Sequence, residues 1–396
     1  MKFETYKIAD LIDEISMGPF GSNIKVECFV DDGIPVLNGS NLDGIALSEN
    51  SFRYVTEEKA DSLGKANASR GDVVITHRGT LGQISFIPQN SKYSRYVISQ
   101  SQFRVRCNEK LLPEYLVYYF HTRVGQHKLL ANASQVGVPA LARASTTFQT
   151  IEIEIPPIEE QRKIVGILET IREKIELNNA INNNLEQQAS SLITEYLECT
   201  DNEVKFSDIM RFENGFAFSS KSYLTSGKYR IITIKNVQDG QIDSSNAACL
   251  DILPLKMKEG CKLQVGDVLL SLTGNVGRVG IVCENNLLLN QRVAKFIPYD
   301  KALLPFLYFV FRQQNTKTKL ELISRGTAQA NLSPIETLDL CIHFEKDSAT
   351  MLSNNLKSLF QQIIHNNQEN MNLIEIRDAL LPQLISGELD VSNIEI

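Results

Sequence analysis

Apolar residues recur at steps of three and four over two long stretches of the chain. The first ladder runs Ile164, Leu168, Ile171, Ile175, Asn178, Asn182, Leu185, Ala189, Leu192, Tyr196. The second runs Leu352, Leu356, Leu359, Ile363, Asn366, Asn370, Leu373, Arg377, Leu380, Leu384, each rung 188 residues after its counterpart. This is the a/d spacing of a coiled-coil seam. Because asparagine replaces the apolar residue at the same two rungs in both, the pattern predicts a duplication: two copies of a globular module followed by a long helix. The first seam, from 164 to 196, would be about 48 Å long at 1.5 Å per residue, too long for a packing helix of a small domain, and it reads as a spacer.

Ahead of each ladder the hydrophobic pattern changes to short strands. GDVVITHRGTLG (71–82) matches GDVLLSLTGNVG (266–277) without a gap. In each, Gly-Asp reads as a turn into a buried strand, and the later glycines mark a tight turn or a close backbone approach. Strand-like SQSQFRV (99–105) and NQRVAKF (290–296) follow, each with a shared glutamine, Gln100 and Gln291. Aromatic helices come next, EYLVYYFHT (114–122) against PFLYFVFRQ (305–313), and then small-polar loops at 133–145 and 324–333. β-rich runs at 148–157 and 335–344 close each half, and upstream IPVLNGSNLDG (34–44) parallels YRIITIKNVQDG (229–240). The expected fold is therefore α+β: two similar modules at 1–155 and 201–344, with spacer helices at 156–200 and 345–396. Pro156-Pro157 sets the start of the first long helix, with Glu159 and Glu160 in its first turn, and Ser386-Gly387 ends the second.

Two apolar stripes in one chain pair with each other before they find an outside partner. An antiparallel pair sets Asn178 against Asn370, Asn182 against Asn366, Ile164 by Leu384, Leu168 by Leu380 and Tyr196 by Leu352; only Ile171 with Arg377 fits poorly. A parallel pair would also match the asparagine rungs. Duplication about a pseudo-twofold axis favours the antiparallel one. A buried asparagine layer lowers stability but fixes register. The alternative reading of these residues is a weak, frayed middle of each helix.

Composition adds four points. With 396 residues and 43% hydrophobic content, the chain can bury more than one core. Its seven cysteines (28, 107, 199, 249, 261, 283, 341) form no CxxC pair, which suggests reduced thiols in a cytoplasm. Neither a membrane span nor a signal peptide is expected. The net charge of −7 is divided unevenly: residues 151–200 and 345–396 are acidic, whereas 1–150 and 201–344 are slightly basic. Residues 70–145 carry ten basic against three acidic side chains, and 256–325 carry eleven against five. A solvated lysine-rich face explains either excess alone; its recurrence at the same place in both halves favours phosphate contact.

Catalytic signatures are not found. A base-flipping adenine methyltransferase needs an Asn/Asp-Pro-Pro-aromatic loop, and Ile155-Pro156-Pro157-Ile158 lacks both the amide and the aromatic ring. The glycine turns are followed by no Lys-Ser/Thr, and neither a nucleophile elbow nor HExxH occurs. Zinc is not expected, since His121 and His127 have no cysteine nearby.

The chain resembles the specificity subunits of Type I restriction-modification systems over nearly its whole length. The resemblance rests on GFAFSSKSY (215–223), IPVLNGSNLDG (34–44), both GDV…G..G segments, PPIEEQRKIVGIL (156–168) and LLPQLISGEL (380–389). It implies a cytoplasmic, non-catalytic DNA reader without cofactors of its own. Each module would be a target recognition domain for one half of a bipartite, asymmetric duplex site. The helices would set the gap between halves, about 14 base pairs for a 48 Å spacer. Two methylation subunits would dock on this scaffold, using S-adenosylmethionine on an adenine in each half, and restriction subunits would join them. One departure is FEKDSATMLS (344–353), which stands where the PPIEEQRKI pattern would recur. Other readings are the specificity subunit of a fused nuclease–methylase and a coiled-coil adaptor without a DNA role.

Base edges are read by Arg, Lys, Asn or Gln, and phosphates are held by Lys and Arg. The candidates are Arg78, Arg95, Arg104 and Arg143 in the first module and Arg278, Arg292, Lys295 and Arg325 in the second. Each alone also reads as ordinary surface charge. The loops Ser134–Ala144 and Arg325–Asn331 are stronger as regions than any single residue, and Asn178, Asn182, Asn366 and Asn370 are the register candidates.

Overall fold

The computed structural model describes residues 2–21, 23–134, 138–324, 331–392 and 394. The chain forms two compact units, Met1–Arg172 with Glu375–Ile396, and Glu173–Ile374.

In the first unit, strands Ile12–Met17, Gln102–Cys107, Val73–Thr76 and Ile84–Phe86 lie side by side in that order as an antiparallel sheet. A second sheet holds Phe29–Val30, Arg53–Val55, Ile34–Val36, Arg95–Val97 and Asn67–Ser69, again in spatial order. Glu4–Lys7 pairs with Glu152–Ile155. The second unit repeats this plan with Met210–Asn214, Val293–Pro298, Val268–Ser271 and Val279–Ile281, in the same order, and adds Gly240–Gln241 at the edge. Its second sheet has three strands, Cys249–Leu250, Tyr229–Ile232 and Leu287–Leu289, and Glu203–Lys205 pairs with Cys341–His343. Ile75 faces Phe103 in one unit and Leu270 faces Ala294 in the other, the same rungs of one ladder. The expected duplication of an α+β module is thus present in strand order and register.

Aromatic helices cover the first sheet of each unit. Pro113–His121 buries Tyr115 to Phe120 as a continuous run, and Leu304–Arg312 buries Pro305 to Phe311. Burial all round a helix places it between two layers. Here one layer is the sheet and the other is the long helices. Tyr118 donates to Glu169 at 2.7 Å in the first unit, and Tyr308 donates to Glu186 at 2.8 Å in the second.

Both long helices have 41 residues, Ile158–Glu198 and Lys346–Ser386. Each unit takes one stretch of both. Ile164, Leu168, Leu381, Leu384 and Ile385 enter the core of the first unit; Ala189, Ile193, Leu356, Phe360 and Ile363 enter that of the second. Within the second unit the helices are antiparallel and the asparagines meet as pairs. Asn178 donates to Asn370 at 2.9 Å, and Asn366 donates to Asn182 at 2.8 Å. Neighbouring amides complete the layer, with Asn182 donating to Asn367 and Asn370 to Asn179, both at 2.9 Å. One rung differs from the expected seam. Leu192 is 41% exposed while Ile193 is fully buried. A straight helix of 3.6 residues per turn drifts away from a 3.5-residue repeat, and at the end of the seam the buried stripe has moved by one residue.

The helix ends follow from their sequences. Gln161 is buried behind Pro156-Pro157; its amide nitrogen donates to the carbonyls of Pro156 and Lys110, and its oxygen accepts from the Leu112 amide. This clasp joins the helix start to the loop before the aromatic helix. The second unit lacks the motif but keeps the joint, because Ser353 accepts from the Phe306 amide and donates to the Ala302 carbonyl. Gly387, at φ +78°, follows the last helical residue Ser386 in the left-handed conformation that favours glycine.

His121 ends the first aromatic helix with Nε2 2.9 Å from the carbonyl oxygen of Ile84. Burial pushes its imidazole below the ordinary histidine range, against the pull of that carbonyl. The unfolded chain, with a histidine near pKa 6.5, then binds more protons in mild acid than the folded one, so stability falls as pH drops through about 6.5. The urea midpoint of His121→Gln is expected to change less between pH 7.5 and 5.5 than that of the parent. Equal pH slopes would contradict this.

Candidate nucleic-acid interface

The duplicated Gly-Asp step builds the frame of the site. Gly71 and Gly266 have φ of +87° and +92°, and the aspartate that follows caps its own turn. Asp72 accepts the Ser69 amide and Asp267 the Gln264 amide, both at 2.9 Å. The buried strands 73–76 and 268–271 then lead into turns with glycine at positive φ, Gly79 and Gly82 in one unit and Gly274 and Gly277 in the other.

Each turn is stitched on both sides. Toward the strand that follows, His77 donates to Ser101 at 2.8 Å, and Leu272 to Arg292 at 3.1 Å. Toward the loop after the helices, Leu141 donates to His77 at 2.8 Å and Leu332 to Leu272 at 2.7 Å. Isolated antiparallel bridges pair Arg78 with Ala140 and Thr273 with Asn331. At the edge strand, a Cβ on Gly18 would lie 1.9 Å from the Ser99 carbonyl oxygen, and one on Gly215 would lie 2.2 Å from that of Asn290. Only glycine allows that approach. The outcome in each unit is one exposed corner where three loops and a strand end converge.

The predicted cations fall into distinct groups. Arg78 and Arg143 are exposed at the corner of the first unit, and Arg292 at that of the second, with no side-chain partner among the described residues. Arg143 has φ +47° and precedes helix Ala144–Gln149. Arg278 is half-buried and donates to Gln238. Arg95 is tied down away from the corner, with Nε on Asn67 at 2.8 Å and Nη2 on Asp61 at 2.6 Å.

Arg104 and Lys295 correct the expectation of surface contacts. Arg104 is 5% exposed in its side chain and pairs with Glu14 at 2.8 Å and Asp72 at 3.5 Å. Lys295 occupies the matching strand position and pairs with Asp267 at 3.3 Å. Both cations neutralise the turn-capping aspartates from the neighbouring strand, and neither faces outward. Burial raises the Glu14 carboxyl, but the hydrogen bond and charge of Arg104 outweigh it and hold that carboxyl below the usual range. Arg325 lies outside the described residues, as do parts of both loops named from sequence.

The corner also gathers amides that a search for positive charge passes over. In the second unit Asn214, Gln291, Arg292 and Asn331 line a groove of about 460 Å³. Gln100 is exposed at the matching place in the first unit, beside His77, which burial holds below the ordinary histidine range. The glutamine shared by the two strand-like stretches was the available signal. Among the described residues no group of His, Cys, Asp and Glu could hold a metal, and no helix is long and apolar enough to cross a membrane.

Two copies of one module, each presenting the same corner and each packed on both long helices, define a duplicated two-module class of protein. Residues 2–187 and 201–342 match the model described as the Type I restriction modification DNA specificity domain, and the chain belongs to that family of specificity subunits with two recognition domains. It is 23% identical over 326 residues to the Type I restriction enzyme MjaVIII specificity subunit of Methanocaldococcus jannaschii, covering 75% of each chain. It is 24% identical to the MjaIX specificity subunit of the same organism, covering 99% of this chain and 94% of that one. Among solved structures it is similar to the S subunit of a Type-I restriction-modification system from M. genitalium, with TM-score 0.58 and 16% identity over 97% of this chain and 96% of that one. At that identity the likeness is one of fold.

Removing one member of a buried charge cluster leaves the others unpaired, which costs about 3–5 kcal/mol. Asp72, fully buried against Arg104 and Arg106, is expected to cost that much as Asp72→Asn in urea unfolding. Asp267→Asn is expected to cost less, since its carboxylate is 22% exposed and faces one lysine. A loss under about 1 kcal/mol for Asp72→Asn would contradict the role of the pair as the brace of the turn.

Proposed function

We propose that this chain is the DNA-reading subunit of a Type I restriction-modification complex. It reads a bipartite, asymmetric duplex site, with the modules at 1–155 and 201–344 each taking one half. The helices at 156–200 and 345–396 set the number of unread bases between the halves. They also offer docking surfaces to two methylation subunits, which restriction subunits join. The observation that carries this reading is the same corner built twice from different exposed side chains, as two halves of an asymmetric site require.

Charge supports the division of labour. The helical segments hold the acidic excess and would be repelled by phosphate, while the basic excess lies on the modules. Arg78, Arg143 and Arg292, exposed and unpaired among the described residues, are the best placed to meet DNA. Catalysis and the binding of S-adenosylmethionine and ATP fall to the partner subunits, in the cytoplasm where the chromosome is. Asn178, Asn182, Asn366 and Asn370 fix the register of the helix pair, because a shifted partner would set their amides against Leu or Ile.

The test is selection from a random duplex library by the chain co-expressed with its methylation subunits. A motif of two separated halves is expected, and no enrichment would overturn the reading. In the same assay, Asn178→Leu with Asn370→Leu is expected to loosen the tolerated gap while the letters of both halves stay unchanged. Changed letters would show that the helices do more than space.

A further inference from the structure

The backbone of the corner is the same in both units, so a position in one can be matched to a position in the other by its bonds. The bridges equate Arg78 with Thr273 and Ala140 with Asn331. The amides of His77 and Leu272, each just before the matched turn residue, donate to Ser101 and Arg292, which equates those two as well. The residue before each of these is the same glutamine, Gln100 or Gln291, exposed in both. The frame is kept and three of its matched positions differ in chemistry.

In the first unit the guanidinium stands on the turn, at Arg78, and the two facing positions are small, Ser101 and Ala140. In the second the turn position is a threonine, the guanidinium has moved to Arg292 and an amide is added at Asn331. Thr273, Arg292 and Asn331 line one groove. The Thr273 hydroxyl is buried at its wall without a hydrogen-bond partner among the described residues. A buried hydroxyl left unmatched is an incomplete polar surface, and an entering polar group would complete it.

We infer that these three matched positions, 78/273, 101/292 and 140/331, set the difference between the two halves of the DNA site, and that Gln100 and Gln291 serve both. The inference rests on the proposed DNA-reading function. The ligand class is the purine edge in the major groove. An arginine matches the two acceptors of guanine and an asparagine matches the acceptor–donor pair of adenine. The second corner, with Arg292 and Asn331 at the matched positions, takes a guanine and an adenine; the first, where Arg78 is the one purine reader among the matched positions, takes a guanine.

The test uses the complex with its methylation subunits and a random duplex library, comparing the parent with Asn331→Ala, with Arg292→Ser plus Asn331→Ala, and with Arg78→Thr. Asn331→Ala is expected to lose roughly 10- to 100-fold discrimination at one adenine in one half, and the double variant at a guanine as well. Arg78→Thr loses a guanine in the other half. The untouched half serves as the internal measure of folding and assembly. Unchanged letters in every variant, or uniform weakening over all sequences, would overturn the inference while leaving the two-part reading standing. If the parent enriches no two-part motif, that reading fails and this inference with it.

Discussion

The antiparallel contact between the two long helices is the constraint on which the packing of the second unit depends. At its polar layer Asn178, Asn182, Asn366 and Asn370 exchange hydrogen bonds, joined by Asn179 and Asn367. Asn178 is 1% exposed. A buried amide that loses its partner costs roughly 1–3 kcal/mol, and sliding one helix by a turn would orphan several at once. Apolar rungs alone tolerate such a slide far better, since Leu against Ile is nearly as good as Leu against Leu. On the proposed role of these asparagines, the layer trades some stability for a single alignment of the helix pair.

Around that contact, each module is held by backbone geometry more than by particular side chains. Gln161 and Ser353 make the same joint between a long helix and the loop before an aromatic helix, with unrelated side chains and at different helix positions. Asp72 and Asp267 cap the same turn, yet one is braced by two arginines and the other by one lysine. Such substitutions are tolerated when they satisfy the same donors and acceptors. The departure at FEKDSATMLS is a case of this: the motif is gone and its structural work continues.

This explains what the sequence discloses. Repeated elements, the asparagine pairs, the Gly-Asp turns and the glycine after Ser386 depend on local pattern or on matching one half to the other, and they were legible. The Leu192 rung was not, because a one-residue drift in the buried stripe depends on how the module packs on the helix. Arg104 and Lys295 were misplaced for a related reason. Their acidic partners, Asp72 with Glu14 and Asp267, lie at distant sequence positions, and only strand order brings them together. Charge counts find basic regions but cannot separate a brace from a contact. The amides at the corner carry no charge and were visible only through the shared glutamine and the loop that ends at Asn331.

Oxidative cross-linking of the full chain carrying Asn178→Cys and Asn370→Cys tests the helix alignment most directly, with Asn178→Cys and Asn366→Cys as its counterpart and peptide mapping to set aside the seven native cysteines. The antiparallel register predicts a 178–370 disulfide and none between 178 and 366. A 178–366 disulfide in its place would contradict it.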